Sequence, residues 1–338
     1  MPADARHLLP AIVALHDRIR RSVVDACERQ SSEEMSEVAH DDVGDTIYAV
    51  DRVSEVTLID GLSALAADEP LVLLAEGVSP NGLVLPIGAS ARDCRWRLLV
   101  DPIDGTRGLM YQKRPAWILT GVAPNRGVDT RLRDIVLAVQ TEIPLIKQHM
   151  SDQLWAHRGH GVEARRIDRV GGLSSSLTLR PSSADTITHG FASVSRFFPG
   201  ARDVLAAIDD EIAVETGGPQ AAGKALCFED QYISTGGQLY ELMAGHDRFI
   251  ADLRPLLREE LQKRGRPHPL CCHPYDLCTV LIAEELGLEI TGAAGQALDA
   301  PLDIETDVAW VGYANSRLRE RVEPALRAAL DRRGMLAS

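Results

Sequence analysis

Residues 97–109 read RLLVDPIDGTRGL: an apolar run of strand length, two aspartates separated by two residues, Gly-Thr, and then a stretch able to start a short helix. This segment constrains the fold more than any other, because it requires an apolar strand to end at paired charge. Two carboxylates at a strand end suit a hard cation, since Mg²⁺ takes oxygen ligands and commonly uses one or two carboxylates together with substrate phosphate. Pro102 is expected to stiffen the turn between Asp101 and Asp104. Gly105 and Thr106 would stand at a helix N-terminus, where unpaired backbone N–H groups and the helix dipole favour a phosphate oxyanion. Taken on spacing alone, Asp104 serves equally well as a helix cap and Asp101 as a surface turn residue.

The rest of the chain supplies helices and short strands around that segment. Leu8, Ile12, Leu15, Ile19 and Val23 recur at helical spacing, as do Val53, Val56, Ile59, Leu62 and Leu65, so two amphipathic helices are predicted to open the fold. The polar stretch Gln30–Gly44 between them lacks periodicity and reads as a mobile loop. Apolar runs at Leu71–Ala75, Gly82–Ile87, Arg97–Val100, Trp117–Ala123 and Ile135–Thr141 have strand length and predict one antiparallel-rich sheet. After residue 180 a new series is expected: strands Gly190–Ser195, Arg248–Asp252 and Val308–Tyr313, and helices Ala201–Val214, Gly237–Ala244, Pro274–Leu286 and Ser316–Arg332. The predicted division is a lobe over residues 1–180 carrying most metal ligands and a second over 181–338 supplying Asp276 and the substrate pocket.

Composition narrows the function classes. The 338 residues are 45% hydrophobic and 25% charged, ordinary for a globular protein. With 49 acidic against 36 basic residues, a net charge of −13 and no Lys/Arg run longer than two, the chain shows no basic track for nucleic acid. No apolar stretch approaches the roughly 20 residues of a membrane span, and no targeting signal is visible, so a cytoplasmic protein is expected. The six cysteines are few and unevenly spread, which fits a reducing compartment. Cys271, Cys272, His273 and Cys278 bring soft ligands together, but without Cys-x-x-Cys spacing they read as free, buried thiols rather than a zinc site.

The DPIDGT segment resembles the central motif of the inositol monophosphatase family of metal-dependent, lithium-sensitive phosphatases. Other positions resemble that family in the same order along nearly the whole chain. Glu76 follows the strand Leu71–Ala75, and Asp45 to Asp51 is similar to the family's Thr-x-x-Asp region. Tyr275-Asp276 and the helix after it resemble the Trp-Asp helix, Gly295 to Asp299 a late hairpin, and Gly312 to Asn315 the closing strand and turn. The resemblance implies an α/β/α/β/α sandwich and two or three Mg²⁺ per site. Glu76, Asp101 and the Ile103 carbonyl would hold one ion, and Asp101, Asp104 and Asp276 another. Thr106, bonded to Asp51, would orient and deprotonate a water alongside Glu76, while Gly105, Thr106, Arg107, Gly237 and Asp276 would contact substrate. Homodimers are common in the family, although nothing in this sequence marks an interface.

Two departures affect the expected substrate. The family usually has two consecutive acidic residues after the upstream strand, whereas here Glu76 is followed by Gly77. Its inositol-specific members carry a carboxylate shortly before Trp-Asp, and residues 264–274 contain none. The leading expectation is a Mg²⁺-dependent phosphomonoesterase acting on an inositol or sugar phosphate, a small phosphorylated metabolite. Arg107-Gly108-Leu109 looks closer to the Lys-Gly-Phe of adenosine bisphosphate phosphatases, which makes a 3′-phosphoadenosine 5′-phosphate phosphatase the enzymatic rival. Gly77 motivates a third reading, a non-catalytic metal-binding scaffold of the same fold.

Overall fold

The computed structural model describes residues 4–41, 46–79, 81–218 and 223–336. The chain opens with helix α1 (Leu9–Arg29), the short helix α2 (Ser32–Met35), strands β1 (Val38–Asp41) and β2 (Thr46–Tyr48), which pair antiparallel, and helix α3 (Ala49–Ala66). Eight further strands follow: β3 (Leu71–Ala75), β4 (Leu83–Leu85), β5 (Trp96–Asp104), then, after helix α4 (Thr106–Met110), β6 (Ala116–Pro124), β7 (Leu137–Ile143), β8 (Met150–His157), β9 (Val162–Asp168) and β10 (Ser174–Ser176). They form one sheet in the order β10-β9-β8-β7-β6-β5-β3-β4, antiparallel except for the β3–β5 pair.

The remainder comprises β11 (Phe191–Val194), helices α5 (Arg202–Gly217) and α6 (Thr235–Met243), β12 (Asp247–Asp252), α7 (Arg258–Lys263), α8 (Val280–Glu285), β13 (Glu289–Gly292), β14 (Trp310–Tyr313) and α9 (Ser316–Asp331). Its four strands form a second sheet in the order β11-β12-β14-β13.

Strand side chains alternate between two cores, and that alternation builds the layers. Leu98 and Val100 of β5, Ile118 of β6 and Val139 of β7 pack with Ile12, Leu15 and Ile19 of α1 and Leu58 and Leu62 of α3. The intervening Leu99, Leu119 and Ala138 face the other way, into a core shared with Leu239, Ile282, Val311 and Leu326. Helices therefore cover both faces of the large sheet, which is why its central strands read as near-continuous apolar runs. The result is the α/β/α/β/α sandwich.

Two segments differ from expectation. Within Gln30–Gly44, read as a loop, Ser31 and Glu34 form a reciprocal cap at α2, the Glu34 N–H reaching Ser31 Oγ at 3.2 Å and the Ser31 N–H reaching Glu34 Oε2 at 2.7 Å. Strand β1 follows it, while residues 42–44, like Asp45 of the region compared with Thr-x-x-Asp, lie outside the described residues. The single helix expected over Pro274–Leu286 is instead a 3-10 turn at Pro274–Leu277 followed by α8. Between them Thr279 is fully buried and donates its hydroxyl to Gln140 Oε1 at 3.0 Å, tying the break to the large sheet.

Candidate metal and phosphate site

Side chains three apart on a regular strand point to opposite faces. Asp101 and Asp104 of β5 escape that rule because the ladder with β6 is bulged: Asp101 lies opposite Leu119 and Asp104 opposite Trp117, three steps on one strand against two on the other. The extra residue reverses the parity, so both carboxylates emerge on the same side. Pro102, expected in a turn, sits within this bulge, where a missing N–H costs the ladder little. Inside the bulge the Ile103 N–H donates to Asp101 Oδ1 at 2.9 Å.

Asp276 joins them from the 3-10 turn. Oxygens of Asp101, Asp104 and Asp276 all lie within 4.8 Å of one another. The turn reaches β6 because Gly121 has no side chain: a Cβ there would stand 2.7 Å from the Cys278 carbonyl oxygen. Asp276 in turn accepts the His273 N–H at 2.6 Å, capping its own turn. Glu76, directly after β3, lines the same cleft. The neighbouring Gly77 has φ of 76°, in the left-handed region that disfavours a side chain, and the Val78 N–H closes a turn on the Ala75 carbonyl at 3.1 Å. A tight turn thus occupies position 77, directly after Glu76.

The electrostatics of the cluster could be met by a bound cation. Asp101 and Asp104 are buried, and two unit charges about 4.8 Å apart repel by about 3 kcal/mol at an effective dielectric of about 20. Burial pushes the Asp101 carboxyl well above its usual range, and the charges of Glu76, Asp104 and Asp276 push it further. Asp276 is raised mainly by burial and then by Asp104. Asp104 rises to about 6 through burial, opposed by hydrogen bonds from Ser234, Gly236 and Thr235. Hard oxygen donors that mutually disfavour ionisation fit a divalent ion such as Mg²⁺.

Asp104 is also held by the first turn of α6, with Ser234 Oγ donating at 2.8 Å, the Gly236 N–H at 2.5 Å and the Thr235 N–H at 3.2 Å. Gly237, expected against substrate, belongs to this same first turn and is not among the residues that line the cleft. Its N–H donates to Ser234 Oγ at 2.8 Å, and a Cβ would meet the Tyr232 ring at 2.4 Å, so the packing there admits only glycine. Sequence reasoning missed Ser234, although Ser before Thr-Gly-Gly at a helix start is an N-cap pattern.

Gly105, Thr106 and Arg107 line the cleft. Gly105 has φ of 97°, and a Cβ would approach Ser234 Cβ at 3.0 Å, so glycine is required there. Thr106 Oγ1 lies 2.9 Å from Asp51 Oδ1 and 2.8 Å from the Ile103 carbonyl oxygen. With a single proton, the hydroxyl donates to one of them at a time. Asp51 Oδ2 accepts the Tyr48 N–H at 2.8 Å at the start of α3, which fixes the carboxylate. The opposite wall was not legible in the sequence: Arg254, buried and paired with Asp252, lies 4.3 Å from the Phe197 ring, and Arg107 lies 5.3 Å from the Phe198 ring.

No family model matches the chain, and no curated protein matches it in sequence. Solved structures do match its fold. Fructose-1,6-bisphosphatase of Leishmania major superposes with a TM-score of 0.66 at 14% identity, covering 96% of this chain and 93% of that one. The extragenic suppressor protein SuhB of Bartonella henselae superposes with a TM-score of 0.62 at 16% identity, covering 95% of this chain and 98% of that one. These likenesses show that this chain shares the layered sandwich fold of both structures.

Proposed function

We propose that the chain is a Mg²⁺-dependent phosphatase that hydrolyses a phosphate monoester of a small polar metabolite, an inositol or sugar phosphate. The observation that carries this reading is the convergence within 4.8 Å of Asp101 and Asp104, from a bulged strand, and Asp276, from a 3-10 turn, beside the hydroxyl–carboxylate pair Thr106–Asp51. Glu76, Asp101 and the Ile103 carbonyl would hold one ion, and Asp101, Asp104 and Asp276 a second. When bound, such ions neutralise phosphate oxygens and lower the pKa of water.

The chain's own residues supply position and proton transfer. Thr106 Oγ1 takes the proton of the attacking water as it passes its own to Asp51 Oδ1, the acceptor 2.9 Å away. Glu76, which lines the same cleft, orients that water. Gly105 lets the backbone approach the phosphate, and Arg107 offers it a guanidinium. Phe197, Phe198 and Tyr275 on the cleft wall favour a second reading, adenosine 3′,5′-bisphosphate, whose planar base would stack there.

Phosphate release with magnesium from inositol-1-phosphate, fructose-1,6-bisphosphate and adenosine 3′,5′-bisphosphate separates these readings. Asp104→Asn should lower turnover on the preferred substrate on the order of 100-fold, the scale set by losing one electrostatic stabiliser. Negligible turnover on all three would favour the scaffold reading, and wild-type turnover in Asp104→Asn would reject the site.

A further inference from the structure

Behind Asp276 lies a second group of ligating side chains, different in chemistry from the first. His268, Cys271 and Asp307 each bring a ligating atom within 4.8 Å of the others. His268 Nδ1 stands 3.5 Å from Cys271 Sγ and 3.9 Å from Asp307 Oδ2, and His273 Nε2 stands 3.7 Å from Asp307 Oδ1. Zinc bonds of about 2.0 Å to nitrogen or oxygen and about 2.3 Å to sulfur place neighbouring tetrahedral ligands about 3.3–3.6 Å apart. The separations from His268 Nδ1 to Cys271 Sγ and Asp307 Oδ2, and from His273 Nε2 to Asp307 Oδ1, are within a few tenths of an ångström of that range, whereas His273 stands outside the 4.8 Å group and would have to close on the other two to become the fourth ligand.

Burial distinguishes this group from a chance surface cluster. Cys271 is 5% exposed, and the side chains of His268 and His273 are 17% and 13% exposed. His268 Nε2 is buried without a hydrogen-bond partner, leaving Nδ1 as the ring's working nitrogen, and it faces the thiol and the carboxylate. The other cysteines of the segment turn elsewhere: Cys272 Sγ accepts from Thr235 Oγ1, and Cys278 packs against Gly121. The reading of Cys272 and Cys278 as free, buried thiols agrees with the structure, and His268 and Asp307 are the partners that folding brings to Cys271.

We infer that His268, Cys271, His273 and Asp307 form a binding site for a zinc-class transition metal, separate from the oxygen-only cluster of the cleft. Thiolate and imidazole donors select softer ions than Mg²⁺, so the two sites would sort metals by ligand chemistry. Binding exchanges one bond: the Cys271 S–H proton leaves to solvent as the sulfur–metal bond forms. Arg258, 2.7 Å from Asp307 Oδ2, faces the site together with Arg254 and offsets part of its negative charge. The site would fasten residues 268–273 to the segment before β14. Because the His273 N–H holds Asp276 Oδ2 and its ring stacks on Tyr275 at 5.4 Å, the same ion would steady the aspartate that completes the cleft.

The test uses the full chain in excess magnesium, first with Zn²⁺ and then with Co²⁺ as probe. About one zinc per chain should survive gel filtration, and cobalt should give a thiolate-to-metal charge-transfer band. Cys271→Ser should abolish that band, and His268→Ala should weaken metal retention at least about 10-fold. Asp104→Asn, in the other cluster, should leave the band intact, so this result stands apart from the assay of phosphate release. Circular dichroism checks that each variant folds, and His268→Ala decides the matter if Cys271→Ser does not. No retained zinc, or a cobalt band that survives in a folded Cys271→Ser, overturns the site.

Discussion

Asp104 Oδ2 accepts hydrogen bonds from Ser234 Oγ at 2.8 Å and from the Gly236 N–H at 2.5 Å, so a carboxylate of the large sheet is fastened to the first turn of α6. The same hydroxyl also caps that helix by accepting the Gly237 N–H. Ser234→Ala removes a bond to a buried carboxylate and a helix cap together, with an expected stability loss of about 2–3 kcal/mol. It also removes an influence that lowers the Asp104 pKa, so magnesium should bind more weakly near neutral pH. Urea denaturation and calorimetric magnesium titration check both effects. Unchanged values in both would mean that the Ser234 contact contributes nothing.

Gly77 does not readily accept a carboxylate beside Glu76. With φ of 76°, a side chain there costs about 1–2 kcal/mol. Gly77→Glu should lower the melting temperature and leave magnesium affinity no better than that of the native chain. Tighter cation binding in this variant would show that the turn is more permissive than its backbone implies.

The carboxylate cluster makes stability depend jointly on pH and on cation. Asp101, Asp104 and Asp276 all hold their protons more tightly in the folded chain than in the unfolded one. In the cation-free protein, the stability those protons contribute is complete below the usual carboxylate range. It is lost as pH rises through the folded value, about 6 for Asp104. Bound magnesium would remove that penalty by taking the ionised forms. Thermal denaturation should therefore show a larger magnesium-induced stabilisation near pH 7.5 than near pH 5, and an equal increment at both would contradict the electrostatic account.

The contact between Gly121 and the Cys278 carbonyl predicts a remote effect on the site. Gly121→Ala would place a methyl group 2.7 Å from that oxygen and 2.6 Å from Ile135 Cδ1. Relief requires the 3-10 turn carrying Asp276 to retreat, at an expected cost of about 1–3 kcal/mol. Magnesium affinity should fall along with stability. A variant that loses stability but keeps full affinity would separate the turn's packing from the site.

Much of this arrangement can be read from the sequence, for reasons specific to each segment. Leu71–Ala75 is recognisable because both faces of β3 are covered, so every side chain is apolar. Strand β8 is not recognisable, because Ser151, Asp152 and Gln153 are buried polar residues satisfied by distant partners. Asp152, for example, pairs with Arg166 and accepts the Tyr240 hydroxyl. Asp101 and Asp104 stand out by type, yet their shared orientation depends on a bulge defined by the pairing with β6. Arg254, Phe197 and Phe198 carry no local signal, since only the folding of β12 beside β11 brings them to the cleft.

Manganese-soaked crystals, measured for anomalous scattering, test the central claim most directly, because manganese takes the oxygen ligands that suit magnesium. The account predicts a peak bounded by Asp101, Asp104 and Asp276, absent from crystals of Asp104→Asn. Manganese bound elsewhere while those three carboxylates remain bare would contradict it.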